Sequence, residues 1–288
     1  MKIIEQFSEG KSPARNEDGV FFSADFAAVV DGSTSKLAPQ FAAAFQEAGF
    51  TTGLLACQTV CEALGALPAD ASAADALSLL TDALRRRTLE VYDCAEADAR
   101  SPLEGGGAEA ARRLTCSAVV FSRKRGEVWM FGDCQCRFGG QTFQNPKPAD
   151  AVFSDIRSRA AHYLLDHGFT SADFAREDPA RRLILPGLRE QSFFQNDPNP
   201  HNPFRFLVLD GTPADASLVR TISTAGAREL ILASDGFPQL FDTFEATEAH
   251  LQAALARDPL CIDELASTKG LTEGNRSFDD RTYLRLSL

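Results

Sequence analysis

The strongest constraint on the fold is a series of short apolar runs. These runs follow one another in the sequence with no helical pattern between them. Near the start, the runs KIIEQF (2–7), GVFFSA (19–24) and FAAVVD (26–31) are each typical of a β-strand. A second group, LTCSAVVFSRKRGEVWMFGDCQCRF (114–138), contains two β-rich runs around a turn and then a third short run. Strands joined by tight turns pair in antiparallel fashion, whereas parallel strands need a crossover connection between them. The order of the runs therefore predicts antiparallel sheets.

Helical patterns lie between and after these strand groups. Apolar residues at spacings of three and four predict one helix over 37–66, kinked near Gly49 and Gly53, and a second over 72–98. Residues 194–203 are rich in Pro and Asn and are predicted to be irregular. Helices grouped in pairs favour an α+β fold with the helices outside the sheets. The other predicted elements are helices at about 149–167, 244–256 and 261–268, and strands at 204–210, 229–234 and 279–288.

Composition narrows the class of protein. The chain has 288 residues and a formal net charge of −11, which argues against a nucleic-acid partner because phosphates require a basic face. No stretch near the start is typical of a signal peptide, and no run approaches membrane-spanning length, so we expect a cytoplasmic protein without a membrane partner. The seven cysteines follow no zinc spacing and are expected to be reduced. No linker divides the chain, so residues 1–288 are predicted to form a single domain.

Aspartates stand at or beside the ends of several predicted strands. An aspartate that ends a buried strand costs desolvation energy unless something positive meets it. One such residue is usually a turn or a cap, but several around one pair of sheets favour convergence on hard cations such as Mg²⁺ or Mn²⁺. A glycine after Asp31 would let its own carbonyl turn toward the same ion. The candidates are Asp18, Asp31, Gly32, Asp133, Asp235 and Asp279.

Two other motifs suggest phosphate chemistry of different kinds. SPLEGGGAEAA (101–111) contains three consecutive glycines, but no strand precedes them and no Lys-Ser/Thr follows, so it is interpreted as a connector. FLVLDGTPAD (206–215) is similar to the aspartyl-nucleophile motif of haloacid-dehalogenase-type phosphatases. In that motif the nucleophile position is Val208 here, which cannot accept a phosphoryl group, so an Asp-Gly turn is predicted instead.

Five motifs carry a resemblance to a known family when they are taken in order. RNEDGVFF, FAAVVDGSTS, TCSAVVF…GEVWMFGDCQCRF, LILASDGF and SFDDRTYLRL occur in the order of the motifs of metal-dependent serine/threonine protein phosphatases of type 2C (PPM type). Each motif is weak alone, and together they span residues 15–286. The resemblance, to a divergent bacterial-like member, implies a four-layer αββα sandwich of two antiparallel sheets flanked by helix pairs.

The resemblance also implies a mechanism and a set of ligands. Two Mg²⁺ or Mn²⁺ ions about 3.5–4 Å apart would share a water that attacks a phosphomonoester of a phosphorylated protein or small phosphoester. Asp31 resembles the bridging carboxylate and Gly32 the backbone-carbonyl ligand, while Asp235 and Asp279 complete the centre. Asp18 would hold one ion or its water. Two further residues have lesser roles by the same resemblance, namely Glu17 around the metal waters and Asp133 at a third, looser ion.

Departures from the family pattern concern the substrate more than the metals. The position of the family's phosphate-binding Arg is Pro13 here, which leaves Arg15 or Lys11 as candidates for gripping the phosphate. Residues 145–203 differ from the family's flap and are interpreted as a divergent flap-like insertion. The sequence therefore leaves two functions open: an active phosphoserine/phosphothreonine phosphatase, or a degenerate fold that acts as a regulatory or binding module.

Two adjacent aspartates compete for one ligand role in SFDDRTYLRL. Successive side chains of a strand point to opposite faces, so Asp279 and Asp280 cannot both reach one ion from extended backbone. By register with the family motif, Asp279 is the ligand and lies in the loop before the strand. Asp280→Asn is then expected to be nearly silent.

Overall fold

In the computed structural model, the described residues are 1–13, 15–37, 45, 49–93, 101–104 and 107–288. These ranges contain ten strands and seven α-helices. The strands are β1 (Lys2–Glu9), β2 (Asp18–Phe22), β3 (Phe26–Gly32), β4 (Cys116–Ser122), β5 (Glu127–Phe131), β6 (Gln135–Phe138), β7 (Gln141–Phe143), β8 (Arg220–Ser223), β9 (Glu229–Ala233) and β10 (Arg281–Ser287). The helices are α1 (Thr52–Leu64), α2 (Ala73–Tyr92), α3 (Gly107–Ala110), α4 (Pro148–Asp166), α5 (Ser171–Arg176), α6 (Pro179–Glu190) and α7 (Phe244–Arg257).

The strands form two five-stranded sheets in which every hydrogen-bonded pair is antiparallel. Their orders are β1-β10-β9-β6-β7 and β2-β3-β4-β5-β8. The two sheets face each other across a buried apolar layer, because alternate residues of each strand point toward the other sheet. Val29, Val119 and Met130 of one sheet share this layer with Leu232 and Leu284 of the other.

Helices cover the two outer faces. Phe26 and Trp129 pack with α1 and α2 on one side, whereas Tyr283 packs with α7 on the other. Burial of apolar surface on both faces of each sheet is the main stabilising contribution here, at roughly 25 cal/mol per Å² removed from water. The predicted α+β architecture of two antiparallel sheets with helices outside is confirmed.

Local hydrogen bonds set where the helices begin. The Thr51 hydroxyl accepts from the backbone of Leu54 at the start of α1. Ser72 and Asp75 form a reciprocal capping box at the start of α2. The helix predicted over 37–66 is therefore seen as α1 alone, since residues 38–44 and 46–48 lie outside the described residues, as do residues 94–98 of the second prediction.

Two predicted elements are wrong, and two helices of the structure were not predicted. Residues 261–268 are not helical, because the Asp258 carboxylate accepts from the backbone N–H groups of Ile262, Asp263 and Leu265 and holds an irregular turn. Residues 204–210 form isolated bridges and no regular strand. The helix prediction ending near 167 missed α5 and α6, the second of which contains Pro186. An internal proline argues against a helix in sequence, and tertiary packing overrides it here.

The described residues also bear on the predictions about reduced cysteines and membrane-spanning segments. Six of the cysteines there are free thiols, five of them buried, which agrees with the prediction of reduced core residues. Cys94 lies outside the described residues. In the described part of the chain, no helix has both the length and the apolar character needed to cross a membrane.

Candidate active site

The pairing of β2 with β3 brings the first two candidate aspartates together. Asp18 at the start of β2 is directly opposite Asp31 near the end of β3, and Asp31 is opposite Ser117 of β4 on its other side. Two like charges directly across a strand pair are destabilising unless a cation lies between them. The register therefore creates a local need for positive charge.

Three further aspartates reach the same place from the strand ends of both sheets. Asp133 follows β5, Asp235 follows β9, and Asp279 lies in the loop just before β10, as predicted. Asp31, Asp133, Asp235 and Asp279 all line one cleft of about 890 Å³. The structure thus brings the sequence-predicted carboxylates together.

Glycines allow the backbone at this site to approach closely. A Cβ on Gly32 would lie 2.4 Å from the Gly53 carbonyl oxygen and 2.6 Å from that of Glu17. A Cβ on Gly236 would lie 2.0 Å from the Asp280 carbonyl oxygen. Each Asp-Gly pair therefore places a carboxylate where a neighbouring segment can pass in direct contact. This packing accounts for Gly32 without any metal ligand role.

Asp18 is the least satisfied of the carboxylates. Its side chain is buried, and in the described part of the molecule neither of its oxygens has a hydrogen-bond partner. Burial raises the pKa of Asp18 to about 8, and the charges of Asp280 and Asp279 add to the shift. The hydroxyls of Ser234 and Thr282 oppose the rise in pKa, but neither reaches Asp18 with hydrogen-bond geometry.

Asp31 and Asp235 lie in the same situation at the cleft surface. Desolvation raises the pKa of both groups well above the ordinary value, although the Asp235 side chain still reaches solvent in the cleft. Repulsion from Asp18, Asp279 and Asp133 raises the pKa of Asp31 further. Within the described residues, neither Asp31 nor Asp235 makes an ion pair with a basic side chain.

Asp133, in contrast, has both of its oxygens engaged. The Ser117 hydroxyl donates to Oδ1 at 2.5 Å, and Lys147 Nζ lies 2.5 Å from Oδ2. Burial would raise the pKa of Asp133, but the charge and hydrogen bond of Lys147, together with the hydrogen bonds from Ser117 and the backbone, outweigh burial and lower it. Lys147 immediately precedes α4, so a residue near the start of the 145–203 segment reaches back into the acidic cluster.

Lys269 and Lys11 neutralise the carboxylates beside β10. Lys269 forms an ion pair with Asp279, and Lys11 Nζ lies 3.5 Å from Asp279 Oδ1 and 3.0 Å from Asp280 Oδ2. Burial would raise the pKa of Asp279, but these two lysines outweigh it and lower the pKa to about 2. Lys11 also lies 3.4 Å from Glu17 Oε2, while Glu17 Oε1 accepts from the Thr51 hydroxyl.

Asp280 has a structural role that the sequence did not indicate. Its carboxylate accepts from the backbone N–H groups of Lys11 (2.7 Å) and Glu17 (3.3 Å) and from the Lys11 ammonium. It therefore ties the loop before β2 to the start of β10. These contacts correct the expectation that Asp280→Asn is nearly silent, because an amide at this position would place donors against donors.

Arg281, the first residue of β10, is not among the residues that line the cleft. Its guanidinium is buried under the outer layer, where it pairs with Glu9 and Glu248. It also stacks over the Phe7 ring with 5.5 Å between the guanidinium carbon and the ring centroid. The successive side chains of Asp280 and Arg281 therefore point in opposite directions.

Arg15 and Lys11, the two residues predicted to bind the phosphate, are not among the residues that line the cleft. The Arg15 side chain is exposed. Lys11 is held by three carboxylates, as described above. The lysines that contact Asp133 and Asp279 were missed by sequence reasoning, because neither stands in a recognisable motif.

The carboxylate oxygens of the cluster are the groups that would bind the divalent cations implied by the family resemblance. In the described ranges, no three His, Cys, Asp or Glu side chains are arranged so that they could hold a metal ion. Three carboxylates nevertheless lack a cation, namely Asp18, Asp31 and Asp235. The whole cluster has seven carboxylates against three ammonium groups, a formal charge of −4 that two divalent ions would neutralise. Asp18, Asp31 and Asp235 offer oxygen donors of the kind that hard cations take, whereas Asp133 is already paired with Lys147 and Ser117.

The cysteine and histidine side chains near the cluster are poorly placed to act as nucleophiles. Cys134 and Cys116 are buried near the cluster, and burial raises the pKa of both thiols well above the usual range. His162 lies at the rim of the cleft with Nε2 3.0 Å from Asp263, a position that its sequence context did not indicate. A thiolate mechanism is therefore disfavoured.

Comparison with known proteins gave matches only among solved structures. No family model and no curated protein matches the chain. Similar structures include the serine/threonine phosphatase PstP/Ppp of Mycobacterium tuberculosis (18% identity, 100% of this chain and 99% of that chain, TM-score 0.44). They also include the PPM Ser-Thr phosphatase MsPP of Mycobacterium smegmatis in complex with cacodylate (16%, 100% and 100%, 0.42). A third is the serine/threonine phosphatase Stp1 of Staphylococcus aureus (13%, 100% and 96%, 0.45). At these values the similarities carry no inference about activity, so the family resemblance continues to rest on the motifs.

Proposed function

We propose that the chain is a metal-dependent phosphomonoester hydrolase that acts on phosphoserine or phosphothreonine in proteins. The observation that carries this proposal is the group of three converging carboxylates without a cation, Asp18, Asp31 and Asp235, in a cluster of strongly negative charge. Folding such a group together is costly unless the bound state supplies positive charge. The motif order supports the reaction class.

The chain's own residues would divide the work of the site. Asp18, Asp31 and Asp235 would bind two Mg²⁺ or Mn²⁺ ions, which when bound supply an activated water and neutralise phosphoryl charge. Lys269 and Lys11 hold Asp279 in a fixed, ionised position beside them. Because Asp133 is already satisfied by Ser117 and Lys147, we propose two ions without a third at Asp133.

The test is metal binding and hydrolysis by the purified chain. Calorimetric titration with Mn²⁺ should give two ions per chain, and hydrolysis of a small aryl phosphate should need Mn²⁺, stop with chelator and resist thiol-blocking reagents. Asp242→Asn, which changes an exposed carboxylate outside the cluster, serves as the control and should leave both unchanged. Metal-independent hydrolysis, or hydrolysis blocked by thiol reagents, would contradict the proposal.

A second function has one observation in its favour. Lysines form ion pairs with Asp133 and Asp279, two of the five strand-end carboxylates. Such pairing is expected of a degenerate fold that is kept as a regulatory or binding module. For such a module, the same calorimetric titration should give no bound Mn²⁺. Two bound ions would favour the enzyme over the module.

A further inference from the structure

The wall of the cleft beside the acidic cluster carries four cations, together with further carboxylates such as Asp150. Lys36, Lys147, Lys269 and Arg181 all line the same 890 Å³ space as Asp31 and Asp235. These cations come from four separate parts of the chain: the loop after β3, the residue before α4, the loop before β10 and helix α6. Only the tertiary fold brings them together.

Two of the four cations make no ion pair with a carboxylate within the described residues, although Asp150 lies near both of them. In the orientation that satisfies its neighbours, the Gln191 amide accepts from Lys36 Nζ at 2.9 Å and donates to Asp150 Oδ1 at 3.2 Å. Arg181 donates from Nη1 to the Thr268 carbonyl oxygen at 2.5 Å. Both contacts are to neutral groups, so the positive charge of Lys36 and Arg181 faces the cleft.

The accumulated positive charge has a measurable consequence at Lys36. Burial lowers the pKa of Lys36 to about 8, and Lys147, Arg181 and Lys269 contribute to the shift while Asp150 opposes it. Burial and the nearby Arg157 likewise lower the pKa of Arg181. Like charges held together in this way are relieved when an anion binds between them.

The position of this wall indicates which anion it would meet. Lys147 touches Asp133 and Lys269 touches Asp279, so the cationic wall begins at the edge of the acidic centre. The cleft is far larger than a single phosphate group needs. A substrate whose phosphate lies at the acidic centre would therefore place its neighbouring groups against Lys36 and Arg181.

We propose that Lys36 and Arg181 form a binding site for a second anionic group of the substrate, so that the preferred substrate is a phosphopeptide with a further phosphorylated or acidic residue beside the phosphoester. This inference rests on the proposed function for the identity of the first phosphate. Guanidinium and ammonium groups are the side chains that recognise such anions. The site uses residues of the flap-like segment, Arg181 and Gln191, which the family motifs do not include.

The test measures binding and does not need hydrolysis. Two fluorescein-labelled peptides that carry non-hydrolysable phosphonate analogues of phosphoserine are compared by anisotropy on the full chain in Mn²⁺: one with a single analogue and neutral flanks, and one with analogues on both sides as well. We expect the second peptide to bind about tenfold more tightly, which corresponds to roughly 1.4 kcal/mol. Lys36→Met and Arg181→Met should each remove most of this difference.

Matched variants keep the result interpretable. Lys36→Arg retains the charge and should retain the preference, whereas Gln191→Glu places a carboxylate on Lys36 and should weaken it. Lys124→Met changes an exposed lysine on the β4–β5 turn and should have no effect. Equal affinity for the two peptides, no binding of either, or a preference that survives Lys36→Met in a protein of unchanged thermal stability would overturn the inference. Failure of the phosphatase itself would appear separately, as absent Mn²⁺-dependent hydrolysis.

Discussion

Asp210-Gly211 and Asp235-Gly236 are the same dipeptide at the end of an apolar run, yet their carboxylates have opposite surroundings. Asp210 is buried and accepts hydrogen bonds from Thr212 (backbone and hydroxyl), Asn196 and Arg113, at 2.6 to 3.1 Å. Asp235 faces the cleft among other carboxylates and makes no ion pair within the described residues. A satisfied carboxylate stabilises the fold, and an unsatisfied one is held in place for something that binds. The dipeptide by itself does not distinguish the two.

The largest effect is expected at Asp31, another of the three carboxylates without a cation. Asp31→Asn should lower Mn²⁺-dependent hydrolysis by more than about 100-fold, because it removes a direct ligand, and changes to residues around ligands already cost 10–100-fold. In chelator, the same change should keep or raise the free energy of unfolding, since it removes repulsion between Asp31 and Asp18. Activity assays and thermal unfolding in chelator measure the two effects. Unchanged activity would place the centre elsewhere.

Asp210→Asn should show the reverse pattern. Removing the charge leaves the Arg113 guanidinium without its buried carboxylate, and such a change costs about 3 kcal/mol. Denaturant unfolding should show this loss, while metal affinity at a temperature where the variant is folded should match the parent. A stable Asp210→Asn protein with lost metal binding would mean that the roles of the two Asp-Gly pairs have been exchanged.

Asp280 tests the intermediate case, a carboxylate of the cluster that is already satisfied. Asp280→Asn should lower the free energy of unfolding by about 2 kcal/mol, because the amide keeps only one of the two acceptor oxygens and puts an N–H donor where the Lys11 or Glu17 backbone N–H needs an acceptor. Asp279→Asn, at the neighbouring residue, should lower metal affinity more than Asp280→Asn does, and it also removes the ion pairs with Lys269 and Lys11. The two variants are compared by denaturant unfolding and calorimetry. Equal effects of both variants would contradict the division of roles.

The smallest expected effect is the pH dependence of the metal-free protein. The pKa of Asp18 is raised to about 8 in the fold, so the unfolded chain releases this proton first as the pH rises. The contribution of Asp18 to stability is therefore complete below about pH 4 and is lost as the pH rises toward 8. In chelator, Asp18→Asn should show a shallower decline in unfolding free energy over this range than the parent. Parallel curves would mean that Asp18 is not perturbed.

Much of the fold could be predicted because it depends on local patterns. Neighbouring apolar runs required antiparallel pairing, and periodic apolar residues located α1, α2, α4 and α7. The failures came from long-range contacts. Asp258 captures the backbone of Ile262 and ends a helical pattern, and tertiary packing carries α6 through Pro186.

The same division holds at the candidate site, and it defines what the sequence alone determined. The carboxylates Asp18, Asp31, Asp133, Asp235 and Asp279 were found from sequence because each stands at a strand end, which is a local pattern. Their counter-ions were not, because an ion pair depends on distance in space and leaves no periodicity in the chain. Only the tertiary structure decided that Lys147 and Lys269 neutralise two of these carboxylates, and that Lys36 and Arg181 line the cleft without an ion pair among the described residues. Electrostatic balance is a sum over the whole site, so it emerges only when distant segments are folded together.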